Sequence, residues 1–237
     1  MTHTKILSLL SVGAISIWSL TAAVQGQAPA KPVVQIPDPG VPQAMTIQAN
    51  FVRAAWNNEA YAILGYQIVN RSIGEEWLRL ELGTTLLDNT PSYKLMREAL
   101  SVDTPDGKNL PLPSIEEWRK ADTRALDQRA KVQRDSINYF PSSAHQACRI
   151  GFFAELGSPA MPWDSVELDR QRACVGRVFF HMPGGITYGQ YFLNVKFEKS
   201  VLRVPFKVFT KDEEKLLSKN YKSIKKQIDE AFKPKKK

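Results

Sequence analysis

The chain has 237 residues, 43% hydrophobic and 24% charged. Without the N-terminal segment described next, about 210 residues remain, enough for one well-buried domain with appendages. The net charge of +8 has a local origin: residues 211–237 carry ten Lys against five acidic residues, and 27–210 are close to neutral. The basic character therefore belongs to the tail, and the body of the chain carries no nucleic-acid signature.

Lys5 precedes an apolar run from Ile6 to Leu20, followed by small residues up to Gly26. That order is the one of a secretory signal peptide over 1–26, with Val24 and Gly26 at the −3 and −1 positions of cleavage. At about 15 residues the run is short of the ~20 needed to span a bilayer. No cysteine follows it to accept a lipoprotein anchor. The Lys-rich chain and short signal suit a bacterial exported protein, periplasmic or extracellular. An exported protein seldom meets nucleic acid, so no nucleic-acid partner is expected. Residues 27–43 hold Pro29, Pro32, Pro37, Pro39 and Pro42, a spacing that denies helix and ladder bonding and reads as an extended leader.

From 44 to 210 the pattern is chiefly β. Glu59 to Asn70 carries two largely apolar alternating rows, as in a central strand. Asn70 to Gly74 reads as a turn. Trp77 to Leu82 sets Leu78, Leu80 and Leu82 against Trp77, Arg79 and Glu81, the alternation of a half-buried strand. Ala99 to Asp103 reads as a strand closed by the Thr104-Pro105-Asp106-Gly107 turn. Ser114-Ile115-Glu116-Glu117 is a capping box, and a charged helix with a thin apolar stripe is predicted to about Ile137. It is read as a helical insertion over about 114–138. Strands are expected again at Cys148–Glu155, Cys174–His181, Gln190–Glu198 and Val201–Thr210, and Pro205 assigns the last to a sheet edge or a bulge.

Thr210-Lys211-Asp212-Glu213 opens a second capped helix. Leu217, Tyr221, Ile224, Ile228 and Phe232 recur every three or four residues as an apolar stripe. The stripe serves either to dock the helix on its own domain or, with its lysines, to meet an anionic membrane surface or an acidic partner.

Cys148 and Cys174 are the only cysteines. In an oxidising compartment they most simply pair, closing a loop of about 26 residues worth ~3 kcal/mol. Free thiols are the second reading. A zinc site with His145 and His181 is disfavoured, because strand geometry carries His181 some 20 Å beyond Cys174. The catalytic patterns Gly-x-Ser-x-Gly, His-Glu-x-x-His, Gly-x-x-x-x-Gly-Lys and Cys-x-x-Cys are absent from the sequence. Ser223-x-x-Lys226 lies on the lysine-rich helix, where nothing would depress the Lys pKa. No catalytic residue, metal or cofactor is assigned, and a hydrolase with an unrecognised site built on His145 or His181 is the least favoured reading. Met182-Pro183-Gly184-Gly185 reads as a type II turn joining two strands, since no helix follows to supply a phosphate-binding dipole.

Gly176-x-Val178-Phe179-Phe180-x-Met182-Pro183 followed by Tyr191-x-Leu193-x-Val195 resembles the closing hairpin of exported bacterial immunoglobulin-like domains. "YQIVNRS…LRLEL" is similar to their strand-Asn-turn-strand. The resemblance implies an immunoglobulin-like antiparallel β-sandwich serving binding, adhesion or scaffolding, and brings no catalytic residues. Cys148 and Cys174 are too close in sequence for the antibody-type framework. The expectation is an exported, non-enzymatic binding or scaffold module whose partner is an unknown protein or envelope component. Phe179, Phe180, Tyr188, Tyr191 and Phe192 form an aromatic cluster that either fills the core or recognises a partner.

Overall fold

The computed structural model describes residues 43–154 and 160–232; the signal segment, nearly all of the Pro-rich leader and the Lys233–Lys237 tail lie outside the described residues. The described chain is mostly β, with twelve strands in three sheets and a long C-terminal helix.

Six strands form the larger sheet: β1 (Ala44–Ala49), β2 (Val52–Trp56), β3 (Ala60–Gly65), β4 (Trp77–Leu86), β10 (Arg172–His181) and β8 (Gln146–Arg149), in that spatial order. All neighbours run antiparallel except β10 and β8, which are parallel. The second sheet runs β12 (Val201–Val208), β11 (Gly189–Lys196), β6 (Leu100–Asp103), β7 (Asn109–Pro111). Strands β5 (Tyr93–Met96) and β9 (Ser165–Leu168) pair separately. The helices are α1 (Ile115–Lys120), α2 (Arg124–Val132) and α3 (Lys211–Ala231).

Period-two alternation turns Leu78, Leu80 and Leu82 of β4 and Val178 and Phe180 of β10 into one contiguous core with Val102, Leu193, Val204 and Phe206 of the second sheet. Tyr66, just beyond β3, packs its ring 5.4 Å from Phe206. The other face of the large sheet is covered as well. A second cluster joins Val52, Ala54, Tyr61 and Ile63 to Ile137, Tyr139 and Phe140. The segment 135–140 thus lies over β2, β3 and β4 as a strap, and glycines let it lie flush. A Cβ on Gly65 would stand 2.7 Å from Asp135 Cβ, and one on Gly83 would stand 2.8 Å from Phe140. β4 is therefore buried on both faces, not on one as its alternation suggests.

Four other expectations change. The charged helix over 114–137 is two short helices: the backbone turns extended at Ala121, and the second helix starts after its N-cap Thr123, with Asp122 accepting from the Arg124 N–H at 3.3 Å. The strand expected over 59–70 stops at Gly65 and gives way to a 3₁₀ turn at Val69–Arg71. The strand expected from Cys148 ends at Arg149, where Arg97 takes hold of the following segment by donating to the Phe152 carbonyl.

The fourth change concerns Met182–Gly185. β10 and β11 are not a hairpin but belong to different sheets. The linking loop bonds to the chain before β4, with Gly74 N–H donating to Ile186 O at 2.8 Å and Ile186 N–H to Glu75 O at 2.9 Å, and so leads to the second sheet. Gly185 N–H donates to Met182 O at 2.8 Å, and Gly185, not Gly184, takes the positive φ of 74°. That is the arrangement of a type I turn with glycine at its fourth position.

Two sheet edges are covered. β12, which carries Pro205, is an edge strand, and the Gln43 amide brackets Arg203 on it, donating to its carbonyl at 2.8 Å and accepting from its N–H at 3.1 Å. α3 covers edge strand β1, where Tyr221 Oη and Lys225 Nζ donate to Ile47 O at 3.3 and 2.7 Å. Unpaired edges recruit other chains, so both contacts limit edge-to-edge association.

Candidate functional site

A polar concavity lies on the strap-covered side of the large sheet. It is a cleft of about 470 Å³ whose lining includes Arg79 and Glu81 of β4, Arg177 of β10, Arg149 of β8, and Arg134 and Asp135 of the strap. β-sheet register brings the first three together: Arg177 stands directly opposite Glu81, one pleat from the Arg79–Phe179 pair. Asp127, on α2, reaches the same place, with Arg177 Nη1 donating to its carboxylate at 3.3 Å and Arg79 Nε 3.4 Å away. Arg79 Nη2 donates to Glu81 Oε1 at 2.6 Å.

Those positions are fixed by neighbouring packing. Trp118 of α1 meets Phe153, a lining residue, and Phe179 at 5.4 and 5.9 Å. Arg129 of α2 bonds Glu75 at 2.5 Å and Ser72 at 3.3 Å, tying the helix to the loop before β4. Asp135 Oδ2 accepts from the Gln67 N–H at 2.7 Å, fastening the strap to the end of β3.

Arg79, Glu81 and Asp127 are each less than a tenth exposed, a burial that charges tolerate only when paired. Desolvation by burial lowers the Arg79 pKa, against the pull of Glu81 and Asp127. Arg79 Nε is buried and has no hydrogen-bond partner among the described residues. Burial pushes the Asp135 carboxyl up to about 6, opposed by the Gln67 N–H and reinforced by Glu81. The arrangement is a floor of interlocked guanidinium and carboxylate groups with further arginines at its rim.

The residues singled out from the sequence are dispersed. Phe179, Phe180 and Tyr191 are fully buried, so they serve packing and are closed to a partner. Tyr188 is 52% exposed, and Phe192 is half-buried beneath Arg203, whose guanidinium lies 4.0 Å from its ring centroid. Cys148 and Cys174 form a disulfide across the parallel β8–β10 pair, where they stand directly opposite each other. On α3, Leu217 and Ile228 are buried, and Tyr221, Ile224 and Phe232 pack against the same core. The apolar stripe is thus occupied by the protein's own domain.

His181 Nδ1 lies 2.7 Å from Glu117 and its ring stacks on Trp77 at 5.0 Å. His145 Nδ1 contacts the Ser143 carbonyl at 2.8 Å. Among the described residues no hydroxyl or thiol side chain bonds either histidine, no group of His, Cys, Asp and Glu is arranged to hold a metal, and no helix is long and apolar enough to cross a membrane.

The arginine cleft is the feature that sequence reasoning missed. Arg79 and Glu81 look like the solvent row of an alternating strand, and Asp127 like one charge of a solvated helix. The only signal is Asp127 itself, an acidic residue between Leu126 and Ala130 on the apolar stripe. No protein-family model, curated protein or solved structure matches the chain.

Proposed function

We propose that the chain is an exported, non-enzymatic binding or scaffold module of the bacterial cell envelope, built as a β-sandwich. The observation that carries this reading is the arginine-lined cleft held open on a doubly covered sheet. It is a concave, polar-lined recess on a rigid scaffold, of the size small-ligand sites have. The Cys148–Cys174 disulfide supports an oxidising compartment, in accord with the signal sequence read over 1–26. Two sheets burying one core support the sandwich layering. The immunoglobulin-like resemblance is proposed at the level of that layering; the strands expected to form its closing hairpin lie in different sheets.

The test is fractionation of the native host, then affinity capture from an envelope extract with the disulfide-bonded protein. Recovery in the exported fraction with a specific envelope component retained supports the reading. Recovery in the cytosol with both thiols free contradicts it.

A second reading, a peripheral membrane protein, draws on the outer side of α3. Lys215, Lys219, Lys222 and Lys226 are exposed and spaced to lie opposite the docked stripe. Each Lys near an anionic bilayer contributes about 1 kcal/mol. Co-sedimentation with phosphatidylglycerol vesicles, lost when these four residues become Gln, supports this reading; equal recovery of both proteins contradicts it.

A further inference from the structure

The strap over 135–140 is fastened to the large sheet differently from the strands beside it. Among the described residues it shares no backbone–backbone hydrogen bond with the sheet. It is held by apolar contact, with Ile137, Tyr139 and Phe140 packed in one cluster with Val52, Ala54, Tyr61 and Ile63, and by bonds from side chains. Tyr61 Oη donates to the Tyr139 carbonyl at 3.0 Å, and Asp135 Oδ2 accepts from the Gln67 N–H at 2.7 Å. Asp135 sits at the leading end of the strap, pressed so closely on Gly65 that a Cβ there would stand 2.7 Å from its own.

The surroundings of this carboxyl favour its neutral form. Glu81 of β4 repels its charge, and Arg53 of β2 attracts it. The nearby Tyr66 hydroxyl is neutral, with a pKa that burial pushes up to about 12. Arg134 and Arg149 stand at the rim of the shared cleft, and the floor arginines, Arg79 and Arg177, are engaged by Glu81 and Asp127. Burial above all, opposed by the Gln67 N–H and joined by Glu81, moves the Asp135 carboxyl from 3.8 to about 6.

We propose that Asp135 is a pH-sensitive latch: with its carboxyl protonated the strap stays seated, and with the carboxyl ionised the strap lifts while the sandwich stays folded. Lifting uncovers the apolar face of Val52, Ala54, Tyr61 and Ile63. An ionised carboxyl gains hydration on leaving the sheet, which a neutral one does not. The seated strap therefore holds the proton more tightly than the lifted one, and the lifted population grows as pH rises through the seated value. Between pH 5 and pH 7 the two values imply a change of about tenfold in that population.

The test is hydrogen exchange by NMR on the full disulfide-bonded protein at pH 5 and pH 7, with each amide compared to its unstructured rate at the same pH. The Gln67 amide reads the latch directly, because Asp135 is its acceptor, and amides of β4 and β10 read opening of the whole domain. In wild type the Gln67 protection is expected to fall about tenfold from pH 5 to pH 7, with β4 and β10 not following. In D135N, which keeps an acceptor and cannot ionise, the two values are expected to agree within about twofold. Fluorescence of the anionic dye anilinonaphthalene sulfonate is expected to rise over the same interval in wild type. That is opposite to the trend of an anion on a protein losing positive charge. Equal Gln67 protection at both pH values overturns the proposal, as does dye fluorescence that does not rise. An equal fall in D135N overturns it by assigning the effect to another group, and an equal fall throughout β4 and β10 by showing that the whole domain opens. Should D135N not fold, the wild-type comparison of Gln67 with β4 and β10 decides.

Discussion

Asp127, carried by α2, receives the Arg177 guanidinium of β10 at 3.3 Å and lies 3.4 Å from Arg79 Nε of β4. One carboxylate thus joins a helix to two neighbouring strands under a nearly closed cover. Asp127→Ala leaves Arg79 buried with Glu81 as its one carboxylate partner and Arg177 without its own. Removing one member of a buried pair costs about 3–5 kcal/mol. Urea unfolding is expected to show a midpoint lowered accordingly, whereas Asp212→Ala, at an exposed site, should change it by about 0.5 kcal/mol or less.

Asp135 makes stability depend on pH in an uncommon direction. Burial raises its pKa from an ordinary 3.8 to about 6, so the folded protein holds a proton between these values that the unfolded chain releases. The contribution of this group is fully present below about pH 4, declines as pH rises through 6, and is flat above. Asp135→Asn keeps an acceptor for the Gln67 N–H and removes the charge. It is expected to stabilise the protein at pH 7.5 by on the order of 1–3 kcal/mol and to have little effect at pH 4. Thermal unfolding at the two pH values checks the sign.

Among the described glycines, Gly176 is the one whose replacement would meet backbone most closely. A Cβ there would stand 2.3 Å from the Ile150 carbonyl oxygen, where the chain leaves β8. Gly176→Ala is expected to cost about 2–3 kcal/mol, read from chemical unfolding, and to displace the 150–153 wall of the cleft.

Loss of the disulfide removes the link between the parallel edge strand β8 and β10. Replacing both cysteines by Ala is expected to lower stability by about 3 kcal/mol in the chain-entropy estimate. A reducing agent is expected to have the same effect on wild type and none on the double variant.

Thr210→Ala tests how α3 is anchored. The Thr210 hydroxyl accepts from the Glu213 N–H at 3.3 Å, and the Glu213 carboxylate accepts from the Thr210 N–H at 3.0 Å. Losing this cap is expected to cost about 1 kcal/mol. Hydrogen exchange should quicken in the first turns of α3, which also hold Arg71–Glu214 and Lys207–Glu213.

What the sequence disclosed is what short-range chemistry encodes. Alternation marked β4, β10, β11 and β12, and Ser114 and Thr210 marked two helix starts. Of the two, the full capping box forms only at Thr210, since the Glu117 carboxylate turns to His181. Pro205 marked an edge, and the cysteine count a bridge. Partner choice between strands was hidden, because an alternating strand such as β10 carries no record of pairing with β4 on one side and β8 on the other. The 135–140 strap was hidden too. Ile137, Tyr139 and Phe140 have no helical or strand continuation, and their role depends on Gly65 and Gly83 some 55 to 75 residues earlier. The cleft inherits that difficulty, since its arginines become one site only after strand register and strap placement have brought them together.

The binding-module reading is tested most directly by an amide NMR titration of the disulfide-bonded protein with the envelope component that it captures. Saturable shifts are expected at Ser136, Ile150, Gly176 and Arg177, with α3 unmoved. Shifts confined to the Lys219–Lys226 side of α3, or shifts that rise linearly without saturation, would contradict a binding site in the arginine cleft.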